Sequence, residues 1–78
     1  MRYVCRVTLA RQGGMLSVRE LDAVGELTRL LEGKADVTLR YVVRGDSVEA
    51  FVEISFEDEQ REAVDDAIRR VGLACSEA

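Results

Sequence analysis

The chain has 78 residues, a net charge of −4, two cysteines, and no histidine, tryptophan or proline. Without histidine it lacks the commonest general base and the commonest metal ligand, and two cysteines alone cannot build a standard zinc site. We therefore expect no enzyme, no metal and no cofactor. The single lysine, Lys34, and the lack of a basic block argue against nucleic acid as a partner.

The apolar stretches of the chain are all short. None approaches the ~18 residues that a membrane span needs, and the first residues enter a strand pattern without the apolar core of a signal peptide. We expect one domain over residues 1–78. A core of this size is marginal on its own, so we expect a homo-oligomer, most simply a homodimer. We also expect a cytoplasmic location and no membrane partner.

The first predicted strand covers residues 2–9, in which apolar and polar side chains alternate up to Leu9. We expect this strand near the middle of the sheet. A loop over residues 10–16 follows, and its glycine pair, Gly13 and Gly14, permits positive φ and a close backbone approach.

The first predicted helix begins at Ser17. The sequence Ser17-Val18-Arg19-Glu20 matches a capping box, with Ser17 as the N-cap and Glu20 at the third helical position. Apolar residues then recur at helical spacing up to Gly33, which is a typical stop. Gly25 lies in the middle of this helix, where a close contact between helix and sheet would explain a glycine.

The clearest pattern in the chain is a β-hairpin over residues 37–56, because apolar and polar side chains alternate along both arms. Gly45 and Asp46 are the predicted two-residue turn, and glycine at the first turn position suits a type II′ turn, which needs a positive φ there. This turn sets the register, and the apolar pairs then fall on one face. The pairs are Val43–Val48, Tyr41–Ala50, Leu39–Val52 and Val37–Ile54.

The other face of this hairpin carries two apolar residues, Val42 and Phe51, among polar ones. Arg40 lies opposite Phe51 in the predicted register. Apolar residues on the face away from the core indicate a surface for a partner. The alternative is an ordinary half-exposed aromatic ring that the Arg40 side chain screens.

Residues 57–59 are acidic and begin the second predicted helix, where they complement the positive end of the helix dipole. The cap of this helix is Asp58 or Ser55. Gly72 ends the helix, and residues 73–75 form a short final strand.

The predicted order of elements is β-α-β-β-α-β, an α+β fold. Two right-handed crossovers that share one hairpin give the ferredoxin-like sandwich, a four-stranded antiparallel sheet of strand order 4-1-3-2 with both helices on one face. The other face stays open and is the predicted interaction surface, on which we expect Arg6 to pair with Glu53 or Glu49. The predicted interface residues are Val4, Arg6, Arg40, Val42 and Phe51.

The two cysteines, Cys5 and Cys75, fall in the first and last predicted strands, which are neighbours in this sheet order. Both have core-facing parity. A disulfide is conceivable on geometry, but a cytosolic context disfavours one. We expect two reduced thiols in the core; a disulfide and a reactive role for Cys75 are the alternatives.

A short glycine-containing segment, residues 11–14, leads towards the first predicted helix. Free N–H groups at a helix N-terminus attract anions, and Arg11 would add positive charge. The segment therefore predicts a site for a small anion. The alternative is a flexible connection that binds nothing.

The segment Arg11-Gln12-Gly13-Gly14-Met15-Leu16-Ser17 resembles the first strand-to-helix loop of ACT domains, a family with the same β-α-β-β-α-β order and a similar length. Gly14, Met15 and Leu16 match the glycine and the two apolar residues of that family's motif. Arg11 stands where the family carries an acidic or amide residue, and Gly13 replaces its common proline.

The resemblance implies a non-catalytic regulatory domain that senses a ligand. ACT domains pair side by side and bind small molecules, often amino acids, at the interface near this loop. On this chain the implied ligand is an amino acid or a small anion, and the implied binding residues are Arg11, Gln12, Gly13, Gly14, Met15 and Ser17. The alternative function, which the residues themselves indicate, is a protein-interaction or assembly module that uses the open sheet face.

Overall fold

The computed structural model describes residues 1–78 and contains two sheets and two α-helices. The strands are β1 (Arg2–Arg6), β2 (Leu9–Gln12), β3 (Met15–Val18), β4 (Ala35–Arg44), β5 (Ser47–Phe56) and β6 (Ala74–Glu77). The helices are α1 (Leu21–Leu30) and α2 (Arg61–Val71), and a 3₁₀ turn at Asp58–Gln60 precedes α2. The predicted α+β class is confirmed. Neither helix has the length and apolar composition that a membrane crossing requires.

The predicted hairpin is confirmed in β4 and β5. The two strands pair antiparallel, and every predicted apolar pair, from Val43–Val48 to Val37–Ile54, lies directly opposite. Gly45 has a φ of +59°, and no residue other than glycine has a positive φ. This agrees with a type II′ turn, in which only the first central residue needs a positive φ.

The larger sheet has four antiparallel strands in the order β4-β5-β1-β6. Both helices pack on one of its faces, because one buried cluster joins side chains of α1, α2 and the two central strands. Its fully buried members include Leu27 of α1, Val64 of α2, and Val52 and Ile54 of β5. The opposite face of this sheet carries no helix.

Residues 9–18 form a second, two-stranded sheet where the sequence predicted mainly a loop. β2 pairs with β3 from Leu9 opposite Val18 to Gln12 opposite Met15. The turn between them is Gly13 and Gly14, whose φ values of +56° and +80° suit glycine. The observed order is therefore β-β-β-α-β-β-α-β, and the predicted six-element succession is wrong before α1.

Helix α1 begins later than predicted, and the predicted capping box is wrong. Ser17 belongs to β3, where its backbone pairs within the hairpin, and its hydroxyl donates only a long hydrogen bond of 3.5 Å to a carbonyl of β2. The N-cap position is Glu20, whose side chain makes no capping bond. Neither Asp58 nor Ser55 caps the second helix, whereas Gly72 ends it in the left-handed conformation as predicted.

A disulfide between Cys5 and Cys75 joins β1 to β6, and no cysteine is free. The expectation of two reduced thiols is therefore wrong. The antiparallel register places the two residues directly opposite each other, with 3.9 Å between their Cα atoms, so the bridge follows from the strand pairing. The expectation had rested on a cytoplasmic location, which stays a prediction.

Replacing both cysteines, by Cys5→Ala with Cys75→Ala, should lower the free energy of unfolding by about 2–5 kcal/mol, because the bridge restricts the unfolded chain. It joins residues 70 positions apart, so the closed loop is long. Urea unfolding without reductant measures the difference, and with reductant the native chain should unfold close to the variant. Alkylation of the cysteines in urea without reductant would contradict the bridge.

Candidate functional site

The helix-free face of the larger sheet brings the five predicted interface residues together. In one row across the strands, Phe51 of β5 lies between Arg6 of β1 and Arg40 of β4. Val4 lies on β1 one row towards the N-terminus, and Val42 lies on β4 one row towards the hairpin turn. Strand pairing alone therefore collects these side chains on one surface.

Glu53 is the centre of a small ion cluster on this face. Its carboxylate lies 2.9 Å from Nε of Arg40 and 3.7 Å from Nη1 of Arg2, and its side chain is only 17% exposed. Arg6 was expected to pair with Glu53 or Glu49, but it forms no ion pair and no side-chain hydrogen bond. That expectation is wrong because Arg2 and Arg40 already take the two oxygens of Glu53. Arg6 keeps a free guanidinium.

A groove of about 910 Å³ lies along the border of this face, beyond the end of β1. β1 ends at Arg6, so the part of β5 between Ser47 and Phe51 has no strand on that side. The chain after Arg6 forms the opposite wall as it turns towards β2. The apolar walls are Val4, Val7, Leu9, Val48, Ala50 and Phe51, and the polar lining includes Arg6 and Glu49.

Sequence reasoning missed the wall that Val7, Thr8 and Leu9 form. Apolar and polar side chains alternate through Leu9, which indicated one uninterrupted strand, and no glycine or proline marks the turn after β1. Val48 and Ala50 have the core-facing parity that the sequence predicted, but beyond the end of β1 they are only half-buried and line the groove. No local signal in the sequence marks this turn.

The six residues predicted to bind a ligand all lie on the hairpin of β2 and β3. They are Arg11, Gln12, Gly13, Gly14, Met15 and Ser17, all exposed, with Met15 at 73%, and none of them lines the groove. The glycine turn is separated from α1 by β3, whose four residues span ~13 Å. The glycine turn therefore does not lie at the N-terminus of α1, and a binding role for the hairpin stays a prediction.

Two hydrogen bonds at Thr8 hold the base of the hairpin of β2 and β3, and one of them links it to Glu20 at the N-cap of α1. The backbone N–H of Thr8 donates to Oε1 of Glu20 over 2.7 Å, and the N–H of Arg19 donates to the Thr8 carbonyl over 2.9 Å. The bond from the Thr8 N–H holds the pKa of the Glu20 carboxyl below its ordinary value, and desolvation opposes the shift. Because Thr8 lines the groove, ionised Glu20 helps to hold one of its walls.

Comparisons of the chain with protein-family models, curated proteins and solved structures found no match. No group of three or more histidine, cysteine, aspartate or glutamate side chains is placed to hold a metal ion. The structure itself defines the class: a small α+β domain whose antiparallel sheet has one open, grooved face. The resemblance of residues 11–17 to ACT domains stays a prediction.

Replacing Glu20→Gln should lower the free energy of unfolding at neutral pH by about 1 kcal/mol, because an amide accepts the Thr8 N–H bond more weakly than a carboxylate does. The folded pKa of Glu20 is lowered, so its contribution is complete above the unfolded-state pKa and is lost as the pH falls through the folded pKa. The native chain should therefore lose more stability in acid than Glu20→Gln.

Urea unfolding of both proteins at neutral and acidic pH measures this difference. Glu49→Gln is the matched control, because Glu49 forms no ion pair and no side-chain hydrogen bond. If the native chain and Glu20→Gln lose equal stability in acid, the carboxylate does not anchor the hairpin.

Proposed function

We propose that the chain is a non-catalytic, ligand-sensing module that binds an α-amino acid with an apolar side chain in the groove of the open sheet face. One observation carries the proposal: Arg6 and Glu49, a free cation and a free anion, line one groove with apolar walls. The ligand class agrees with the one that the resemblance to ACT domains implies, but the groove replaces the loop as its site.

The charges of the groove favour a zwitterion. Arg6 and Glu49 lie on either side of Phe51, in neighbouring rows of the sheet, and neither forms an ion pair. A guanidinium binds a carboxylate through parallel N–H donors, and a carboxylate accepts hydrogen bonds from an ammonium group. An α-amino acid carries both complementary groups on one carbon atom. Arg2 also lines the groove, and its guanidinium lies 3.7 Å from the carboxylate of Glu53, which makes its shorter contact, of 2.9 Å, with Arg40.

The apolar walls favour an aliphatic side chain. Val7 and Leu9 line the wall that follows β1, and Val48 and Ala50 line the wall on β5. All four are half-buried, so a ligand side chain that covers them removes further apolar surface from water. The groove volume of about 910 Å³ lies within the ~300–1,000 Å³ usual for small-molecule sites.

We also infer that the larger sheet is ferredoxin-like, with the hairpin of β2 and β3 inserted in its first crossover. The support is the strand order, in which β1, β4, β5 and β6 occupy the places of the first to fourth strands, and the packing of both helices on one face. Open sheet faces of this kind host many functions, so the groove rather than the fold supports the ligand.

Leucine should bind the native chain. Two analogues of leucine should identify which residue binds its carboxylate and which binds its ammonium group. Arg6→Gln should weaken leucine roughly tenfold but leave leucinamide, which lacks the carboxylate, unchanged. Glu49→Gln should weaken leucine by a similar factor but leave 4-methylpentanoate, which lacks the amine, unchanged. Isothermal titration calorimetry measures all seven affinities.

Arg11→Gln is the matched control, because Arg11 is an exposed, unpaired arginine on the hairpin rather than in the groove. If Arg11→Gln weakens leucine and Arg6→Gln does not, the loop that resembles ACT domains is the site and the groove is not. No stabilisation by any aliphatic amino acid in a thermal-unfolding screen would contradict the proposal as a whole.

A second candidate function is a protein-interaction module on the same face. Its support is Val42, a half-buried apolar residue on β4 that continues the surface of Phe51 outside the groove. Val42→Gln, which makes this position polar without placing a charge opposite Glu49, distinguishes the two functions. It should leave leucine binding unchanged, whereas a partner protein that covers the whole face should lose most of its affinity.

A further inference from the structure

Strand β4 is an outer strand of the larger sheet, and one of its edges has no partner. In a hairpin with a two-residue turn, the residues that flank the turn, Arg44 and Ser47, form a hydrogen-bonded pair, so alternate residues of β4 bond to β5. The intervening residues of β4 direct their backbone N–H and C=O groups to the free edge. That edge is therefore a template for another strand. The edge-facing residues are Val37, Leu39, Tyr41 and Val43.

This edge also exposes apolar side chains. Tyr41 is 56% exposed and Val43 is 70% exposed, although the sequence predicted both for the buried face. Both have core-facing parity, but the buried core cluster does not reach them. Unpaired backbone groups beside exposed apolar side chains mark a surface that a protein contact would bury.

We propose that β4 pairs antiparallel with β4 of a second copy of this chain, about a twofold axis at Arg40. This register keeps the helix-covered faces of both copies on the same side of one joined sheet. Leu39 then lies opposite Tyr41 of the second copy, and Val37 lies opposite Val43. All four are edge-facing residues, so each such pair can exchange two backbone hydrogen bonds.

The charges on β4 select this register. Asp36 lies opposite Arg44 of the second copy at both ends of the pairing, and neither residue forms an ion pair within the chain. Moving the axis by one residue towards the N-terminus sets Arg44 against Lys34. Moving it by one residue the other way sets Asp36 against Asp46. Like charges directly opposite are unfavourable, so both neighbouring registers are disfavoured.

Arg40 lies at the axis, where it faces its own copy. Its guanidinium is 2.9 Å from the carboxylate of Glu53, so the charge that it presents to the second copy is already compensated. The twofold axis therefore does not bring two uncompensated arginines together.

A second groove, of about 560 Å³, lies between α1 and the start of β4 and receives the side chains of the second copy. Gly25 and Thr28 of α1 line it together with Val37, the residue opposite Val43 of the second copy. A Cβ at Gly25 would meet nothing within 4 Å, so the expected close contact between helix and sheet is wrong. Val43 of the second copy supplies a neighbour for this exposed glycine.

This inference goes beyond the proposed function. It involves neither Arg6 nor Glu49, and the edge of β4 does not line the amino-acid groove. Failure of one leaves the other intact.

Sedimentation velocity of the full chain over a range of concentrations tests the pairing. The native chain should form dimers. Asp36→Arg alone and Arg44→Asp alone should each raise the dissociation constant of the dimer roughly tenfold or more. Each substitution places two like charges directly opposite each other at both ends of the pairing. An equimolar mixture of the two variants should recover the native dimer content. In a dimer of one copy of each variant, positions 36 and 44 carry opposite charges at both ends of the pairing.

Two further variants separate the edge of β4 from the rest of the surface. Tyr41→Lys should abolish the dimer, whereas Ala74→Lys, an exposed position on the opposite outer strand, should leave it intact. Gly25→Leu should weaken the dimer by filling the second groove, although leucine favours a helix more than glycine does. Circular dichroism confirms that each variant is folded.

Three outcomes would overturn the proposal. The first is a native chain that remains monomeric at the highest concentration it tolerates. The second is a mixture of Asp36→Arg and Arg44→Asp that is no more dimeric than either variant alone. The third is a dimer that survives Tyr41→Lys but is lost on Ala74→Lys.

Discussion

β4 and β5 pair along their whole length, and this pairing positions both the groove and the free edge. The opposed pairs Leu39–Val52 and Val37–Ile54 turn one face of the hairpin towards the helices. β5 accepts β1 on its other side, and β1 accepts β6. Because side chains alternate with a period of two, a slip of one residue would bury charged side chains and expose the core.

A mismatch of lengths explains why so much of the hairpin is uncovered. β4 and β5 have ten residues each, or ~33 Å, whereas α1 has ten residues and spans only ~15 Å. β1 has five residues, so it also stops short of the hairpin turn. The turn end of β5 therefore has no neighbour, which opens the groove, and the turn end of β4 has no helix above it, which exposes Tyr41 and Val43.

The sequence predicts the parts of the fold that depend on local periodicity. The alternation of side chains and the turn at Gly45 were enough to predict the register of β4 and β5. That register in turn identifies the residue of β4 that lies opposite Phe51. The hairpin of β2 and β3 was not predictable in this way, since Ser17 and Glu20 imitate a capping box. Exposure of Tyr41 depends on helix length, and the partners of Glu53 depend on which arginine reaches it. Both are tertiary properties that no local pattern contains.

Amide hydrogen exchange along β4, followed by NMR at several protein concentrations, tests the central role of this strand most directly. The amides of Thr38, Arg40 and Val42 should exchange slowly at every concentration, because they bond to β5. The amides of Leu39 and Tyr41 should exchange fast in dilute solution and slow down as the concentration rises. Fast exchange at Thr38, Arg40 and Val42 would contradict the hairpin register, and concentration-independent exchange at Leu39 and Tyr41 would contradict the paired edge.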